Sequence, residues 1–249
     1  EFKNKFLSDN CLKELIKYAN KLGIALFATP GDFESLDRVC RLKMPAIKIS
    51  SGLLTNLPLI LKASKKKVPI ILSTGMAYLN EISDAIKICK KYQNKIAVLK
   101  CTSIYPAPIE KLNLNGINKL KNIFNIPVGY SDHAIGIKPS IYSVAMGAKI
   151  IEKHFTLNKR QKGADHKISI QPKEFKKMVY QIRELEKIMG NNKLHPSSEE
   201  VVSRNYYHRK ITARIFIKKG DKINKNNICL KRSYTKNKYI PLKYFFKIV

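Results

Sequence analysis

The sequence predicts an α/β fold in which parallel strands alternate with helices. Short apolar runs recur along roughly the first 155 positions, and amphipathic helical patterns separate them. The runs are almost continuously hydrophobic, as expected for strands that helices cover on both faces. Each run ends in small polar or ionisable residues, and active sites of (β/α) barrels lie at the carboxyl ends of the strands. Because every strand contributes such residues, the pattern favours a barrel over an open doubly wound sheet.

Six strands are predicted in chain order: Ile24–Ala28, Ala46–Ile49, Pro69–Leu72, Ile96–Leu99, Ile126–Gly129 and Ala148–Glu152. Helices are predicted between them, because apolar residues recur at helical spacing in segments such as 12–22 and 82–92. A longer helix follows, with Pro172 in its first turn and Gly190 at its end. A barrel of eight strands needs two more, and we expect these before Glu1, because the chain does not begin with Met.

The chain is predicted to contain a barrel domain at 1–190, a linker at 191–209 and a small β-rich domain at 210–249. The linker is polar and contains Pro196. Beyond Lys210 the apolar pattern changes to two short strands, Ile211–Ile217 and Ile228–Lys231, with a turn at Lys218–Asp221.

Composition excludes several classes of protein. There are 48 Lys and Arg residues against 18 Asp and Glu, a net charge of +30, yet 44% of residues are hydrophobic, which excludes a disordered polycation. No apolar run approaches the ~18 residues of a membrane-spanning helix. The basic residues are spread along the chain without interleaved aromatic residues, so we expect a basic cleft for an anionic substrate rather than a nucleic-acid interface. A basic nucleic-acid-binding protein, rather than an enzyme, stays open as an alternative.

The cysteines predict a reducing compartment. The chain has 5 cysteines, an odd number, at wide spacing and without a CxxC pair. This usage is typical of free thiols in a cytoplasmic protein rather than of a disulfide framework.

Two histidines are candidate metal ligands. His133 and His154 end consecutive predicted strands, so both are expected at the same mouth of the barrel. Two imidazoles suit a divalent first-row metal that keeps positions open for water and substrate. Such a metal acts as a Lewis acid on a carbonyl oxygen.

Lys48 also ends a strand, and two functions are open for it. It could hold a phosphate or carboxylate, or it could form a Schiff base in a lysine aldolase, a role for which Lys100 and Lys153 compete. Hydroxyl residues at successive strand ends, with nearby backbone N–H groups, predict a phosphate cradle; these are Thr29, Ser51, Ser73 and Ser131. Asp165, in a loop after the last strand, could bond a sugar hydroxyl.

Five runs together resemble the sialic acid synthases, including their legionaminic, pseudaminic and spore-coat polysaccharide relatives. These runs are PAIKISSGLLTNLPLI (45–60), PIILSTGM (69–76), LKCTSIYPAP (99–108), VGYSDHAIG (128–136) and GAKIIEKHFTL (147–157). They occur in family order over nearly the whole chain. The segment KITARIFIKKGDKINKNNICLKRS (210–233) is similar to the family's antifreeze-like domain.

The resemblance implies a (β/α)8 TIM barrel that lacks its first two strands here, followed by an incomplete antifreeze-like (SAF, β-clip) domain. It implies condensation of phosphoenolpyruvate with an N-acetylated sugar such as N-acetylmannosamine. It also implies that His133 and His154 bind a divalent metal, usually Mn²⁺, with Mg²⁺ or Co²⁺ as alternatives. The positions that match substrate-binding residues of the family are Thr29, Lys48, Ser51, Ser73, Ser103, Tyr105, Ser131, Asp165 and Arg232.

The resemblance also carries departures and expectations about assembly. Leu53 stands where many members have a glutamate that contacts the sugar, and Ser103 replaces an asparagine of some members. Arg232 matches an arginine that reaches the partner subunit's active site, which implies a domain-exchanged homodimer. The family's catalytic glutamate would precede Glu1, so the isolated 249 residues are expected to be inactive.

Overall fold

The chain forms two compact units, which are described separately. The computed structural model describes residues 7–92, 95–232, 240 and 242–248. The first unit is Glu1–Gly190 and the second is Asn191–Val249.

The first unit is built on a parallel sheet of five strands in sequential order. The strands are β1 (Ile47–Ile49), β2 (Ile70–Ser73), β3 (Ile96–Cys101), β4 (Val128–Asp132) and β5 (Ile151–Lys153). Neighbours pair in regular register, for example Ile71 with Ala97 and Leu99 with Gly129. Because the strands are parallel, all five carboxyl ends lie at one edge of the sheet.

Seven α-helices accompany these strands in the described part of the first unit. They are α1 (Asp9–Lys21), α2 (Phe33–Arg41), α3 (Leu57–Lys65), α4 (Leu79–Tyr92), α5 (Asn115–Phe124), α6 (Lys138–Ala145) and α7 (Pro172–Met189). Local signals set where they begin: Asp32 and Ser35 form a capping box at α2, and the Asn56 side chain caps α3. Short 3₁₀ turns occur at Ser51–Leu53 and Ile109–Lys111.

The core lies between the sheet and the helices. Leu36, Leu59 and Ile117 on helices, with Ile47 and Leu72 on strands, are 0% exposed and belong to one hydrophobic cluster. Burial of each such side chain stabilises the fold by ~1.5–3 kcal/mol. The helical patterns read from the sequence therefore arise from packing on the sheet.

The first predicted strand, Ile24–Ala28, is wrong. Only Ala28 forms a bridge, to Ile47, and the Lys48 N–H donates to the Ala28 carbonyl oxygen at 3.1 Å. Ile24 is 58% exposed and Phe27 is 39% exposed, so the described residues supply too little burial to organise this run as a strand. The fold is a five-stranded parallel sheet, consistent with part of a (β/α) barrel.

The second unit contains an antiparallel strand pair. Helix α8 (Ser198–Tyr207) precedes β6 (Arg209–Ala213), which pairs with β7 (Ile228–Arg232). Helix α8, begun by a capping box of Ser197 and Glu200, lies within the segment predicted as a linker. A 3₁₀ turn at Leu242–Tyr244 and helix α9 (Phe245–Ile248) follow.

The predicted strands at 211–217 and 228–231 correspond to β6 and β7, although β6 begins earlier and ends at Ala213. Residues 233–239, 241 and 249 of the predicted β-rich domain lie outside the described residues. That this unit is an antifreeze-like domain stays a prediction. None of the described helices combines the length and apolar character that crossing a membrane requires.

Gly129, inside β4, is a position where a side chain would disrupt the sheet. An added Cβ would lie 2.4 Å from the Ile150 carbonyl oxygen and 2.5 Å from Leu99 Cδ2. We expect Gly129→Ala to lower the free energy of unfolding by ~1–3 kcal/mol, measured by urea denaturation. Gly31→Ala, where no atom lies within 4 Å of the new Cβ, is the matched control and should stay within ~0.5 kcal/mol. Equal losses in the two variants would contradict this account.

Candidate active site

A cavity of about 570 Å³ lies at the carboxyl edge of the sheet. Residues that follow or end all five strands contribute to it. Its wall consists of Thr29, Lys48, Ser50, Ser51, Gly52, Ser73, Met76, Ser103, Tyr105, Ser131, His133, Glu152, Lys153 and His154. The lining is therefore rich in hydroxyl groups and cationic side chains.

Lys48 connects the two edge strands of the sheet. Its side chain, in β1, is only 7% exposed, and its Nζ donates to Ser73 Oγ at 2.7 Å and lies 3.3 Å from Glu152 Oε2, in β5. In a flat sheet, strand spacing would place β1 and β5 ~19 Å apart, beyond the reach of these two side chains. The sheet must therefore curl so that its carboxyl edge closes around the cavity.

Glu152 continues this network to β4. Its Oε1 accepts a hydrogen bond from Ser131 Oγ at 2.6 Å, while its other oxygen faces Lys48. Glu152 is 42% exposed at its side chain, so it faces the cavity and solvent. One carboxylate thus holds the lysine and the serine in a fixed arrangement.

Gly75 allows three side chains to converge at the base of the site. Its N–H donates to Ser51 Oγ at 3.0 Å. A Cβ at this position would lie 2.1 Å from Ser103 Oγ, 2.8 Å from Ser51 Oγ and 3.0 Å from Cys101 Sγ. The glycine of the STGM motif, which has no Cβ, therefore leaves room for these groups to approach the backbone closely.

The two histidines lie side by side. The ring centroids of His133 and His154 are 5.3 Å apart, and the Tyr105 ring lies 4.1 Å from that of His133. His133 Nδ1 is 2.9 Å from the Thr102 carbonyl oxygen, which can only accept, so Nδ1 carries the proton and Nε2 is left to bind a metal. His154 Nδ1 lies 3.6 Å from Asp165 Oδ2.

The protonation of this cluster reflects burial and contact. Burial lowers the pKa of His154, which favours the neutral imidazole that a metal requires, and Asp165 opposes this shift. Burial also lowers the pKa of His133, but its contacts with Cys101 and the Thr102 carbonyl oxygen outweigh burial and raise it. Burial raises the pKa of the Cys101 thiol, yet hydrogen bonds from His133, Ser51 and Ser103 bring it down to about 7.

Two candidate metal ligands, His133 and His154, lie together here in the part of the chain that the structure describes. Among the described residues, no group of three or more His, Cys, Asp and Glu side chains could hold a metal ion. The adjacent rings of His133 and His154 fit a divalent ion that completes its coordination with water and substrate.

The structure brings together nine of the eleven residues predicted from the sequence. Those lining the cavity are Thr29, Lys48, Ser51, Ser73, Ser103, Tyr105, Ser131, His133 and His154. Asp165 lies beside His154 without lining the cavity. Arg232 belongs to the second unit, where its guanidinium lies 5.2 Å from the centre of the Tyr207 ring. The roles of all eleven stay predictions.

The three candidate Schiff-base lysines differ in position. Lys100 lies outside the cavity, with Nζ 2.8 Å from Thr102 Oγ1, and burial lowers its pKa. Lys153 contributes to the wall, but its Nζ lies 3.0 Å from Asp132 Oδ2. Lys48 lines the cavity, with its Nζ beside Ser73 Oγ and Glu152 Oε2.

Glu152 and Met76 line the cavity although the sequence analysis assigned them no role. Glu152 lies two residues before His154, so strand alternation places both on one face, a signal that was available in the sequence. Met76 has φ of 63°, an unusual conformation for a residue other than glycine, and sequence alone gives no sign of it. Leu53, by contrast, is partly buried against the core and does not line the cavity.

A cationic, hydroxyl-lined cavity at the carboxyl edge of a curled parallel sheet is the arrangement expected for part of a (β/α) barrel. The NeuB family model matches residues 2–194. The chain belongs to the NeuB family.

Individual relatives agree with this assignment. The chain is 46% identical over 234 residues to an uncharacterized protein of Methanocaldococcus jannaschii, covering 93% of this chain and 69% of that protein. It is 45% identical to the N,N'-diacetyllegionaminic acid synthase of Campylobacter jejuni, covering 88% of this chain and 67% of the synthase. The chain therefore spans about two thirds of the length of these relatives.

A solved structure agrees as well. The N-acetylneuraminic acid (sialic acid) synthetase of Leptospira borgpetersenii, in complex with citrate, superposes with a TM-score of 0.77 at 36% identity. The match covers 81% of this chain and 72% of that one.

Proposed function

We propose that the protein is a metal-dependent synthase that condenses phosphoenolpyruvate with an N-acetylated sugar, such as N-acetylmannosamine, to give a nonulosonic acid and phosphate. The observation that carries this proposal is one cavity that combines a buried lysine, several hydroxyl groups and two adjacent histidines. Membership of the NeuB family supports it, because the named relatives include synthases of legionaminic and sialic acids.

Lys48 and the serines bind and orient phosphoenolpyruvate. The Lys48 ammonium group offers a positive charge in a largely buried setting, where an ion pair with phosphate or carboxylate is weakly screened. Ser51, Ser73 and Ser131 present hydroxyls that can donate to the remaining oxygens. Fixing the enol in this way lowers the barrier by several kcal/mol through positioning.

His133 and His154 bind the metal, with Mn²⁺ expected and Mg²⁺ or Co²⁺ as alternatives. When bound, a divalent metal acts as a Lewis acid on the aldehyde oxygen of the open-chain sugar. The hydrogen bond from His133 Nδ1 to the Thr102 carbonyl oxygen would fix the tautomer that leaves Nε2 able to bind the metal.

The reaction forms one C–C bond and breaks one C–O bond. The methylene carbon of phosphoenolpyruvate attacks the sugar aldehyde carbon, and the aldehyde oxygen becomes a hydroxyl after taking up a proton. Water adds to the resulting cation at C2 and loses one proton, which leaves a hydroxyl on C2. The bond from C2 to the phosphate oxygen then breaks, phosphate leaves with the bonding electrons, and the hydroxyl loses its proton to form the C2 carbonyl. Thr29 and the serines hold the phosphate oxygens through this departure.

Asp165 and Arg232 are proposed to contact the sugar. Asp165 Oδ2 lies 3.6 Å from His154 Nδ1, and we propose that this carboxylate accepts a hydrogen bond from a sugar hydroxyl. Arg232 acts from an antifreeze-like domain of a partner subunit in a domain-exchanged homodimer. Five free cysteines are consistent with a cytoplasmic enzyme.

The test measures binding in the 249-residue chain and turnover in the full reading frame that contains it. Phosphoenolpyruvate is titrated calorimetrically with and without MnCl₂, and turnover is followed by phosphate release and by mass spectrometry of the sugar product. We expect phosphoenolpyruvate to bind and one phosphate to form per nonulosonic acid. Phosphate release without a C–C bonded product would overturn the proposal.

His133→Ala and His154→Ala should each abolish metal-dependent turnover. Each removes one of two protein ligands, so we expect Mn²⁺ affinity to fall at least ~100-fold, measured by electron paramagnetic resonance of free Mn²⁺. His166→Ala is the control, because His166 bonds Thr156 and does not line the cavity. Retention of Mn²⁺ affinity and metal-dependent turnover in the first two variants would show that the ligand assignment is wrong.

A further inference from the structure

The second unit carries a concentration of positive charge, of which the proposed reaction uses only Arg232. Residues 191–249 contain 15 Lys and Arg against 3 Asp and Glu. Within this unit a second cavity, of about 240 Å³, lies where the end of α8, the start of β6 and the 3₁₀ turn at 242–244 meet.

The wall of this second cavity is cationic on three sides. Arg204 comes from α8, Arg209 and Lys210 from β6, and Lys243 from the 3₁₀ turn. Asn205, His208 and Leu242 also line it, so none of its described lining residues carries a carboxylate. In the described part of the chain, Arg204, Arg209 and Lys243 form no ion pair with an acidic side chain.

The strand pair beside the cavity opposes like charges. In the β6–β7 ladder Arg209 is directly opposite Arg232, and Lys210 is directly opposite Lys231. Like charges at directly opposed positions destabilise an antiparallel pair. The Arg209–Arg232 pair makes the unit less stable unless an anion compensates its charge.

We propose that this second cavity is a binding site for a phosphate group, either inorganic phosphate or a small phosphomonoester. Cations that approach from three elements match a tetrahedral anion whose oxygens point in several directions, whereas a planar carboxylate is satisfied by one arginine. The small volume admits a single phosphate group rather than a strand of nucleic acid. The site is independent of the proposed synthase reaction, because none of its residues lines the cavity of the first unit.

The experiment titrates the 249-residue chain with inorganic phosphate at constant ionic strength, using calorimetry together with hydrogen exchange read by mass spectrometry. We expect phosphate to slow amide exchange in residues 204–213, which separates this site from phosphate bound in the first unit. Arg204→Gln and Arg209→Gln should each weaken this local binding at least ~10-fold. Arg209→Gln should also raise the melting temperature without phosphate, because it removes one like-charge pair.

Arg214→Gln is the matched control. Arg214 is exposed, lies just beyond β6, and does not line the cavity, yet its replacement removes the same charge. Its phosphate affinity should stay within twofold. Equal weakening in all three variants would show binding to net charge alone and would overturn the proposal. So would the absence of local protection, or protection of 204–213 by an oligonucleotide but not by phosphate. Glycerol phosphate in place of phosphate distinguishes a phosphomonoester site from one that accepts only the free ion.

Discussion

Lys48→Met should reduce kcat/KM for phosphoenolpyruvate by at least ~10²-fold. The loss follows from removing a largely buried cation that we propose to pair with the substrate's phosphate or carboxylate; truncating one partner of such a pair costs ~2–5 kcal/mol. The variant should still fold, because Glu152, which loses its cationic partner but keeps its bond to Ser131, is 42% exposed and can be solvated. Calorimetric titration and steady-state kinetics should therefore show the same large loss in a protein with an unchanged circular dichroism spectrum.

Lys100→Met is the matched control for this variant. Lys100 is also a partly buried lysine at the end of a strand, but it bonds Thr102 and lies outside the cavity. Its replacement should leave kcat/KM within about threefold of the wild-type value, because substitutions away from the site change activity and stability little. An equal loss in Lys100→Met would contradict the assignment of the cation to Lys48.

Lys48→Arg separates the two chemical roles open to Lys48. An arginine keeps the positive charge and can hold an anion. If Lys48 binds the substrate electrostatically, Lys48→Arg should therefore retain part of the kcat/KM that Lys48→Met loses. A Schiff base needs a primary amine, which arginine lacks. Borohydride reduction in the presence of pyruvate should then leave the wild-type chain without a covalent adduct. An adduct at Lys48 or Lys100 would instead identify a lysine aldolase.

The part of the site that follows strand ends was predictable from the sequence. Lys48, Ser73 and Ser131 each end a hydrophobic run, and parallel strands bring such ends to one edge regardless of sequence separation. The pairing of Glu152 with Lys48 was not predictable, because it depends on the curl of the sheet, which follows from strand twist and packing rather than from residue pattern.

The prediction at 24–28 failed for a physical reason. An apolar run indicates burial, but a strand forms only where a partner supplies hydrogen bonds and cover. In the described residues Ile47 supplies one bridge, to Ala28, and the preceding Ile24 is exposed. The segment 191–209, predicted as a linker from its polar residues, contains helix α8, which begins at a capping box of Ser197 and Glu200.

Asp132→Asn is expected to be the most destabilising polar substitution proposed for this chain. Lys153 Nζ lies 3.0 Å from Asp132 Oδ2, and their side chains are 2% and 0% exposed. Asp132 also accepts from the Ser140 hydroxyl at 2.6 Å and from the Ala134 N–H at 2.9 Å. Removing the negative charge leaves a buried ammonium group unpaired, so the free energy of unfolding should fall by ~3–5 kcal/mol in urea denaturation.

Asp37→Asn serves as the control for charge removal at a surface pair. Asp37 contacts Lys62 and Lys66, but its side chain is 44% exposed. Water solvates the partners after the substitution, so the urea midpoint should barely move. Similar shifts in Asp37→Asn and Asp132→Asn would show that burial does not govern the effect.

The double variant Asp132→Asn with Lys153→Met separates stability from function. Replacing both members of a buried pair removes the unpaired charge, so most of the lost stability should return. Asp132 and Lys153 directly precede His133 and His154, and their ion pair joins the carboxyl ends of β4 and β5. If the pair positions the two histidines, the restored fold should still bind Mn²⁺ ~10–100-fold more weakly than the wild-type chain. Full recovery of both stability and Mn²⁺ affinity would show that packing alone sets the separation of the two rings.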